Sequence, residues 1–387
     1  MKRICTFISF ALLPLSLWSN TPQGETIMVD RLTSIPEIDY KHSMFESVEA
    51  IRLEMTDHSI IGEVSQVELT DRYIFILDKK SHALLMFDRS GAFLRTISSH
   101  GQGPKEYLDI STFYIVDETI RVIDPMKKQI MVYDFKGQYI TAIPSSSNHL
   151  SFLAKVIPLE GNRAIGHTSI NWCEGGYFLF ENENMDEGRQ LYDYQLRSDN
   201  WQAFHFSSQP TCTIGNEVRW IKPFSDTVYT YREHQIVPTY ILQRHRKPIE
   251  HSRLIQKQKE AKGSWAMLYA DIIKNHTYSP GIKNIMESER YLYLEFYHDS
   301  LIPSAIIWDK KEKNGMYIAQ NISDSPTLSS LIYSRGNEWV RIWGNEIIPS
   351  FKEKKDKTSL LPASWQKLLK GHSEEENPIL LIFKVRE

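Results

Sequence analysis

The stretch Ile74-Phe75-Ile76-Leu77-Asp78 returns, 46 residues later, as Ile120-Arg121-Val122-Ile123-Asp124. The match continues without a gap. Leu84-Leu85-Met86-Phe87-Asp88 aligns with Ile130-Met131-Val132-Tyr133-Asp134, Gly91 with Gly137, Phe93-Leu94 with Tyr139-Ile140, and Ile97 with Ile143. A fixed period of this size marks a repeat architecture, in which each copy is one supersecondary unit. The second copy reads as four short strands, at Ile110–Val116, Thr119–Ile123, Gln129–Tyr133 and Gln138–Ile143. Asp117-Glu118, the loop Asp124–Lys128 and the turn Asp134–Gly137 separate them, and the turn glycine can take positive φ. Four antiparallel strands in roughly 45 residues, repeated, are the signature of a propeller blade.

Working outward, later copies have drifted but still read as strands. They fall at Leu150–Pro158, Arg163–Ile170, Tyr177–Glu181, Glu217–Lys222, Thr227–Tyr231 and Thr239–Gln243, then at Arg290–Tyr297, Ser304–Asp309 and Gly315–Gln320. The last are Leu328–Tyr333, Glu338–Gly344 and Ile379–Val385. Six blades of roughly 45 to 60 residues fill the length that follows the N-terminal leader. A propeller must join its first and last blades, because an open sheet edge exposes unpaired backbone. Ile379–Val385 is therefore expected to share a blade with N-terminal strand material near Val48–Leu53. Two insertions read as helical: Ser252–Asn275, with apolar residues at three-to-four spacing, and Ser364–Lys370 after Pro362. Lys352–Lys357 is a solvated charge run. The expected fold is all-β, a six-bladed β-propeller with small helical insertions.

Composition agrees. The 387 residues are 41% hydrophobic and 24% charged, which excludes a disordered, collagen-like or polytopic membrane chain. The plentiful Tyr, Phe and Trp favour strands. A formal net charge of −3 argues against nucleic-acid binding by bulk phosphate attraction. Lys2 and Arg3 precede the uncharged, mostly apolar Thr6–Trp18, which suits a signal-peptide core and is short for a membrane span. The expected division is a signal peptide over 1–20, a lead-in over 21–44 and a propeller over 45–387. No later stretch is long and apolar enough for a spanning helix, so an extracytoplasmic, periplasmic or secreted product is expected. No cysteine follows the apolar core directly, which argues against a lipid anchor. Of Cys173 and Cys212, either one disulfide or two buried thiols fits that compartment.

Ile60-Ile61-Gly62, Ile76-Leu77-Asp78, Phe87-Asp88 to Gly91, and Gly101-Gln102-Gly103-Pro104-Lys105-Glu106-Tyr107 resemble the NHL-like propeller blade. More narrowly, the chain resembles the extracytoplasmic six-bladed β-propeller proteins of Bacteroidetes over residues 45–387. Pro223-Phe224-Ser225-Asp226-Thr227-Val228-Tyr229, with Val237-Pro238 beyond it, is similar to a mid-chain motif of that family, and Asn377-Pro378-Ile379-Leu380 to its ending. The chain departs from the pattern in lacking a lipobox cysteine and in placing Lys105 where a second glycine is usual. The resemblance implies a fold and a compartment, and it transfers no catalytic residue.

Chemistry is harder to read. No Gly-x-Ser-x-Gly elbow, His-Glu-x-x-His or Cys-x-x-Cys occurs. The Gly101–Tyr107 segment lacks the Gly-Lys-Ser/Thr ending of a phosphate loop and reads as a connector between blades. Asp78 and Asp124 end equivalent strands; they read as acceptors for loop N–H groups, against a cation- or sugar-binding alternative. Arg244–Lys262 is basic, the solvated face of a helix or a docking surface for an anionic polymer. No cofactor and no metal site is expected. In an up-down-up-down blade, the loop between strands two and three and the connector to the next blade share one face. That rim gathers His82, His100, Gln102, Lys105, Tyr107 and Lys128, with Lys127 and His149 beside them, as candidate binding residues. The expected function is a secreted, non-catalytic propeller binding a partner protein or glycan on that rim; the alternative is a carbohydrate-active propeller hydrolase or lyase.

Overall fold

The computed structural model describes residues 24–35, 41–97, 100–168, 175–194, 207, 209–261, 264–275, 277–298, 303–319, 333–344, 348, 361–373 and 375–387. The expected leader, Cys173 and Lys352–Lys357 lie outside them. The strands form six blades in a ring, each with at least four strands. Blade 1 runs Val64–Leu69, Tyr73–Asp78, Ala83–Asp88 and Phe93–Thr96, and blade 2 runs Thr112–Val116, Thr119–Asp124, Gln129–Asp134 and Tyr139–Pro144. Blade 3 holds Leu153–Leu159, Arg163–Thr168, Gly176–Phe180 and Gly188–Asp193; blade 4 holds Thr211–Ile214, Glu217–Trp220, Thr227–Arg232 and Gln235–Gln243. Blade 5 is Ile282–Glu287, Tyr291–Tyr297, Pro303–Asp309 and Asn314–Ile318. Blade 6 takes Tyr333–Arg335, Glu338–Trp343 and Ile379–Val385 from the C-terminal part and Phe45–Arg52 from the N-terminal part.

Closure is antiparallel, with Ile379 opposite Arg52 and Phe383 opposite Val48, as the sequence predicts. The preceding segment continues outward along the ring. Glu25–Met28 adds in parallel to the outer strand of blade 4, and Thr33–Ile35 adds in parallel to that of blade 5. Two otherwise open edges are covered in this way.

The core lies between neighbouring blades, and successive residues of one strand serve opposite neighbours. Ile74 and Ile76 pack toward blade 6, with Val340, Leu380 and Ile382. Phe75 and Leu77, between them in sequence, pack toward blade 2, with Phe113, Val122 and Met131. A strand covered on both faces reads as a continuous apolar run, which is why the repeat stands out in sequence. At the turn after Asp88, Gly91 adopts φ +89°, and a Cβ there would lie 2.2 Å from the Arg52 carbonyl oxygen. Only glycine meets both constraints.

The expected single helix over Ser252–Asn275 is two, His251–Glu260 and Trp265–Lys274. Ser264 caps the second by accepting from the Met267 N–H, so the chain restarts there. Both helices join the core of blades 3 to 5 through Leu254, Leu268, Ile272 and Ile273. The strands Gly188–Asp193, Thr211–Ile214 and Ile282–Glu287 escape the sequence reading. Among the described residues no helix is long and apolar enough to cross a membrane.

Candidate functional site

The loops joining the second and third strands of blades 1 and 2 are built alike. Asp78 is buried and accepts from the N–H groups of Gly62, Glu63, Lys80 and Ser81, at 3.1, 2.6, 3.3 and 3.2 Å, and from the Ser81 hydroxyl. Asp124 is buried and accepts from the N–H groups of Leu108, Met126 and Lys127, at 2.8, 3.0 and 3.0 Å. Each aspartate therefore fastens its own loop to the incoming connector, as aspartates in turns do. His82 and Lys128 close these loops in the left-handed region, at φ 52° each. Both carboxylates are spent on scaffolding, which leaves the loops rigid.

The rim residues divide. His100 and Gln102 are exposed on the connector between blades 1 and 2. The backbone of His100 pairs with Tyr107, and the Gly101 N–H donates to the Tyr107 carbonyl at 2.9 Å. The Tyr107 side chain itself is 1% exposed, packed with Phe75, Leu84, Met86 and Ile97, so it presents no ring to the rim. Burial pushes its hydroxyl pKa well above the usual tyrosine range. Gly101 and Gly103 make room for Glu106: a Cβ at Gly101 would sit 2.0 Å from its carboxylate, and the Gly103 N–H donates to it at 2.9 Å. Lys127 Nζ donates to the Gly103 and Glu106 carbonyls, at 2.7 and 2.6 Å, and locks the connector onto blade 2. The exposed Lys105 and Lys128 contribute backbone carbonyls, to the Tyr133 hydroxyl at 3.2 Å and the Ser145 N–H at 2.9 Å. Of the six rim candidates, His82 alone lines the cavity described next.

That cavity, of about 540 Å³, opens on the expected face at the mouth of the central channel. Blades 1 to 3 and the segment entering blade 4 build it, through Ser65, Gln66, His82, Asp109, Ser111, Ser151, Lys155 and Gln209, with Phe152 as an apolar wall. At its rim His82 Nδ1 lies 2.7 Å from Asp109 Oδ1, which also accepts from the Ile110 N–H at 2.8 Å. Glu63 pairs with Lys79 at 3.5 Å. Inside, the Gln66 amide is fixed by Thr112, Phe113 and Glu68. Lys155 Nζ donates to Gln209 Oε1 at 3.2 Å and lies 5.6 Å from the centre of the Tyr333 ring. Burial lowers the Lys155 pKa, and the Glu68 carboxylate opposes that shift. Burial, reinforced by the same carboxylate, raises the Tyr333 pKa. Cys212 is a free buried thiol whose pKa is raised by burial.

Among the described residues, no three His, Cys, Asp or Glu side chains converge as metal ligands would. Arg244 and Arg246, from the basic stretch, are buried rather than solvated. Arg244 pairs with Asp226 at 2.8 Å, and Arg246 donates to the Ile273 carbonyl at 3.3 Å. The residues missed in sequence are Gln66, Asp109, Ser111, Ser151, Lys155 and Gln209, since four separate blades bring them together. The one local sign is a lysine inside the apolar run Leu153–Leu159.

No curated protein matches the chain significantly. Among solved structures, a putative exported protein from Bacteroides fragilis NCTC 9343 superposes with a TM-score of 0.73 at 18% identity, over 94% of this chain and 100% of that one. A member of the DUF4221 family from Bacteroides vulgatus ATCC 8482 superposes with a TM-score of 0.51 at 11% identity, over 89% and 98%. At such identities the likeness is one of fold. The model of the domain of unknown function DUF4934 matches residues 26–384, and the chain belongs to that family.

Proposed function

We propose that the protein is an extracytoplasmic binding protein that takes a glycan into the mouth of its channel. The observation that carries this reading is the cavity, whose hydroxyl, amide and imidazole groups converge from innermost strands and the loops beside them, next to one aromatic wall. Sugar hydroxyls need such paired donors and acceptors, and an aromatic face covers the apolar side of a sugar ring. The carboxylates Asp78 and Asp109 are already held by loop N–H groups and, for Asp109, by His82. That commitment favours capture over hydrolysis or elimination. The charged start and apolar core of the leader support export, as does the likeness to a protein described as exported. The NHL-like reading of the blades belongs to the same proposal.

Thermal shift of the protein lacking its leader, against a panel of mono- and disaccharides, tests it. A ligand at about 100 times its Kd stabilises by about 2.7 kcal/mol, a shift of roughly 3–4 °C for a domain of this size. Ser151→Trp, at an exposed position on the mouth, should abolish the shift and leave the unliganded melting temperature in place. If no saccharide moves the transition, or if Ser151→Trp responds like the parent, the reading fails.

A further inference from the structure

The innermost strands of alternate blades carry a bulge near the upper end of the channel. The register shifts between Val64 and Gln66 in blade 1, between Leu153 and Lys155 in blade 3, and between Ile282 and Asn284 in blade 5. A bulge breaks the alternation of side chains and re-aims the residue that follows. The three following residues, Gln66, Lys155 and Asn284, are all polar, but they differ in their partners. Gln66 accepts from the Thr112 hydroxyl at 2.8 Å and donates to the Phe113 carbonyl at 2.7 Å and to Glu68 at 3.0 Å. Asn284 Oδ1 accepts from the Ser207 hydroxyl at 3.0 Å and the Gln209 N–H at 3.1 Å.

Lys155 is different. An ammonium carries three donors, and its hydrogen-bond acceptor among the described residues is one neutral amide oxygen, Gln209 Oε1 at 3.2 Å. That oxygen is oriented, because the other end of the amide donates to the Thr211 carbonyl at 2.5 Å. The Tyr333 ring lies beside the ammonium at 5.6 Å. Glu68, the carboxylate whose field reaches Lys155, is engaged with Gln66. At the mouth, Glu63 is paired with Lys79 and Asp109 with His82. The cavity thus holds a positioned cation with donors to spare: among the described residues no carboxylate contacts it, and the field of Glu68, whose own partner is the neutral Gln66 amide, reaches it only from beyond ion-pair distance. A charge kept in such a place costs stability unless a counter-charge joins it.

We infer that the ligand is an acidic glycan whose carboxylate seats on Lys155, while Gln209 holds the ammonium in line and the mouth contacts the sugar hydroxyls. This rests on the glycan reading and adds the charge of the ligand. Truncating one member of a buried charged pair costs at least about 2 kcal/mol, which is roughly thirty-fold in affinity.

Isothermal titration with digalacturonate, with neutral galactobiose and with trialanine, on the parent and on Lys155→Met, tests the inference. Digalacturonate should bind the parent at least about tenfold more tightly than galactobiose and lose roughly thirty-fold in Lys155→Met, a clearly larger factor than galactobiose loses. The melting temperature of Lys155→Met should be no lower than that of the parent, so the loss cannot be ascribed to misfolding. Equal binding of the two sugars, or an unaltered digalacturonate affinity in Lys155→Met, overturns the acidic assignment and leaves the glycan reading in place. If neither sugar binds, both readings fall. Binding of trialanine alone, dependent on Lys155, replaces the glycan with a peptide carboxylate.

Discussion

Arg244→Ala should be among the costliest single substitutions in the molecule. The Arg244 guanidinium donates to both Asp226 oxygens, at 2.8 and 3.2 Å, to the Tyr297 carbonyl at 2.6 Å and to the Ser279 hydroxyl. It also lies 4.8 Å from the centre of the Phe296 ring. These contacts tie the start of the third strand of blade 4 to the second strand of blade 5 and to the short parallel pair Lys247–Pro248 with Tyr278–Ser279. Removing the guanidinium leaves Asp226, 4% exposed, with the Ser279 hydroxyl at 2.7 Å as its remaining side-chain donor. Stranding one member of a buried ion pair costs about 3–5 kcal/mol. Unfolding entropy of about 2.1 cal/mol/K per residue, over roughly 360 residues, converts that into about 4–7 °C of melting temperature. Arg244→Met combined with Asp226→Leu should recover most of the loss, because both charges then leave together. The recovery stops short of the parent, since the Tyr297 carbonyl still lacks its donor. Differential scanning calorimetry at neutral pH on the parent, Arg244→Ala, Arg244→Met, Asp226→Leu and the double variant gives both the loss and the cycle. A fall of less than about 1 °C for Arg244→Ala, or a double variant less stable than either single one, refutes the account.

Three further outcomes are expected. Deleting residues 377–387 removes the strand that joins Glu338–Trp343 to Phe45–Arg52, so cooperative melting should be lost; circular dichroism showing the parental transition would place closure elsewhere. Stability should fall below about pH 4.5: burial raises the carboxyls of Glu217, Asp309 and Glu376, but Arg219, Arg290 and, for Glu376, the Ser373 N–H with Arg52 outweigh it and hold all three low. A depressed folded-state pKa contributes fully above the unfolded value and is lost as pH drops through the folded one, so Glu376→Gln should flatten the acid limb of a melting-temperature profile. Protein isolated from its native host should begin near residue 20, and N-terminal sequencing that finds Met1 on a cytosolic fraction would contradict export.

The parts of the fold that are legible in sequence are those buried on both faces. Ile74 to Leu77, and likewise Ile120, Val122 and Ile123, divide their side chains between two neighbouring blades, so their apolar character survives from one copy to the next. The aspartates that end those strands survive for a local reason, since each accepts the N–H groups of its own loop. Residue type alone misleads where it stands in for exposure. Tyr107 belongs to the connector but packs inward, and Arg244 and Arg246 belong to a basic run but are buried with acceptors. The break between the two helices was marked by Ser264, a capping residue inside an otherwise continuous apolar spacing.

The strands that escape the sequence reading include two innermost ones, Thr211–Ile214 and Ile282–Glu287, and the reason is physical. An innermost strand has one hydrogen-bonded neighbour and faces the channel on its other edge, so the demand for apolar residues on both faces is relaxed there. Bulges then shift the phase of what alternation remains, as at Lys155 and Asn284. The same relaxation lets hydroxyls, amides and a lysine accumulate around the axis. Their convergence depends on the ring closing, which no local pattern encodes. Sites are expected where local consistency fails, and the lysine inside Leu153–Leu159 is such a failure: an apolar strand that keeps one cation can do so because that cation faces the cavity at the channel mouth.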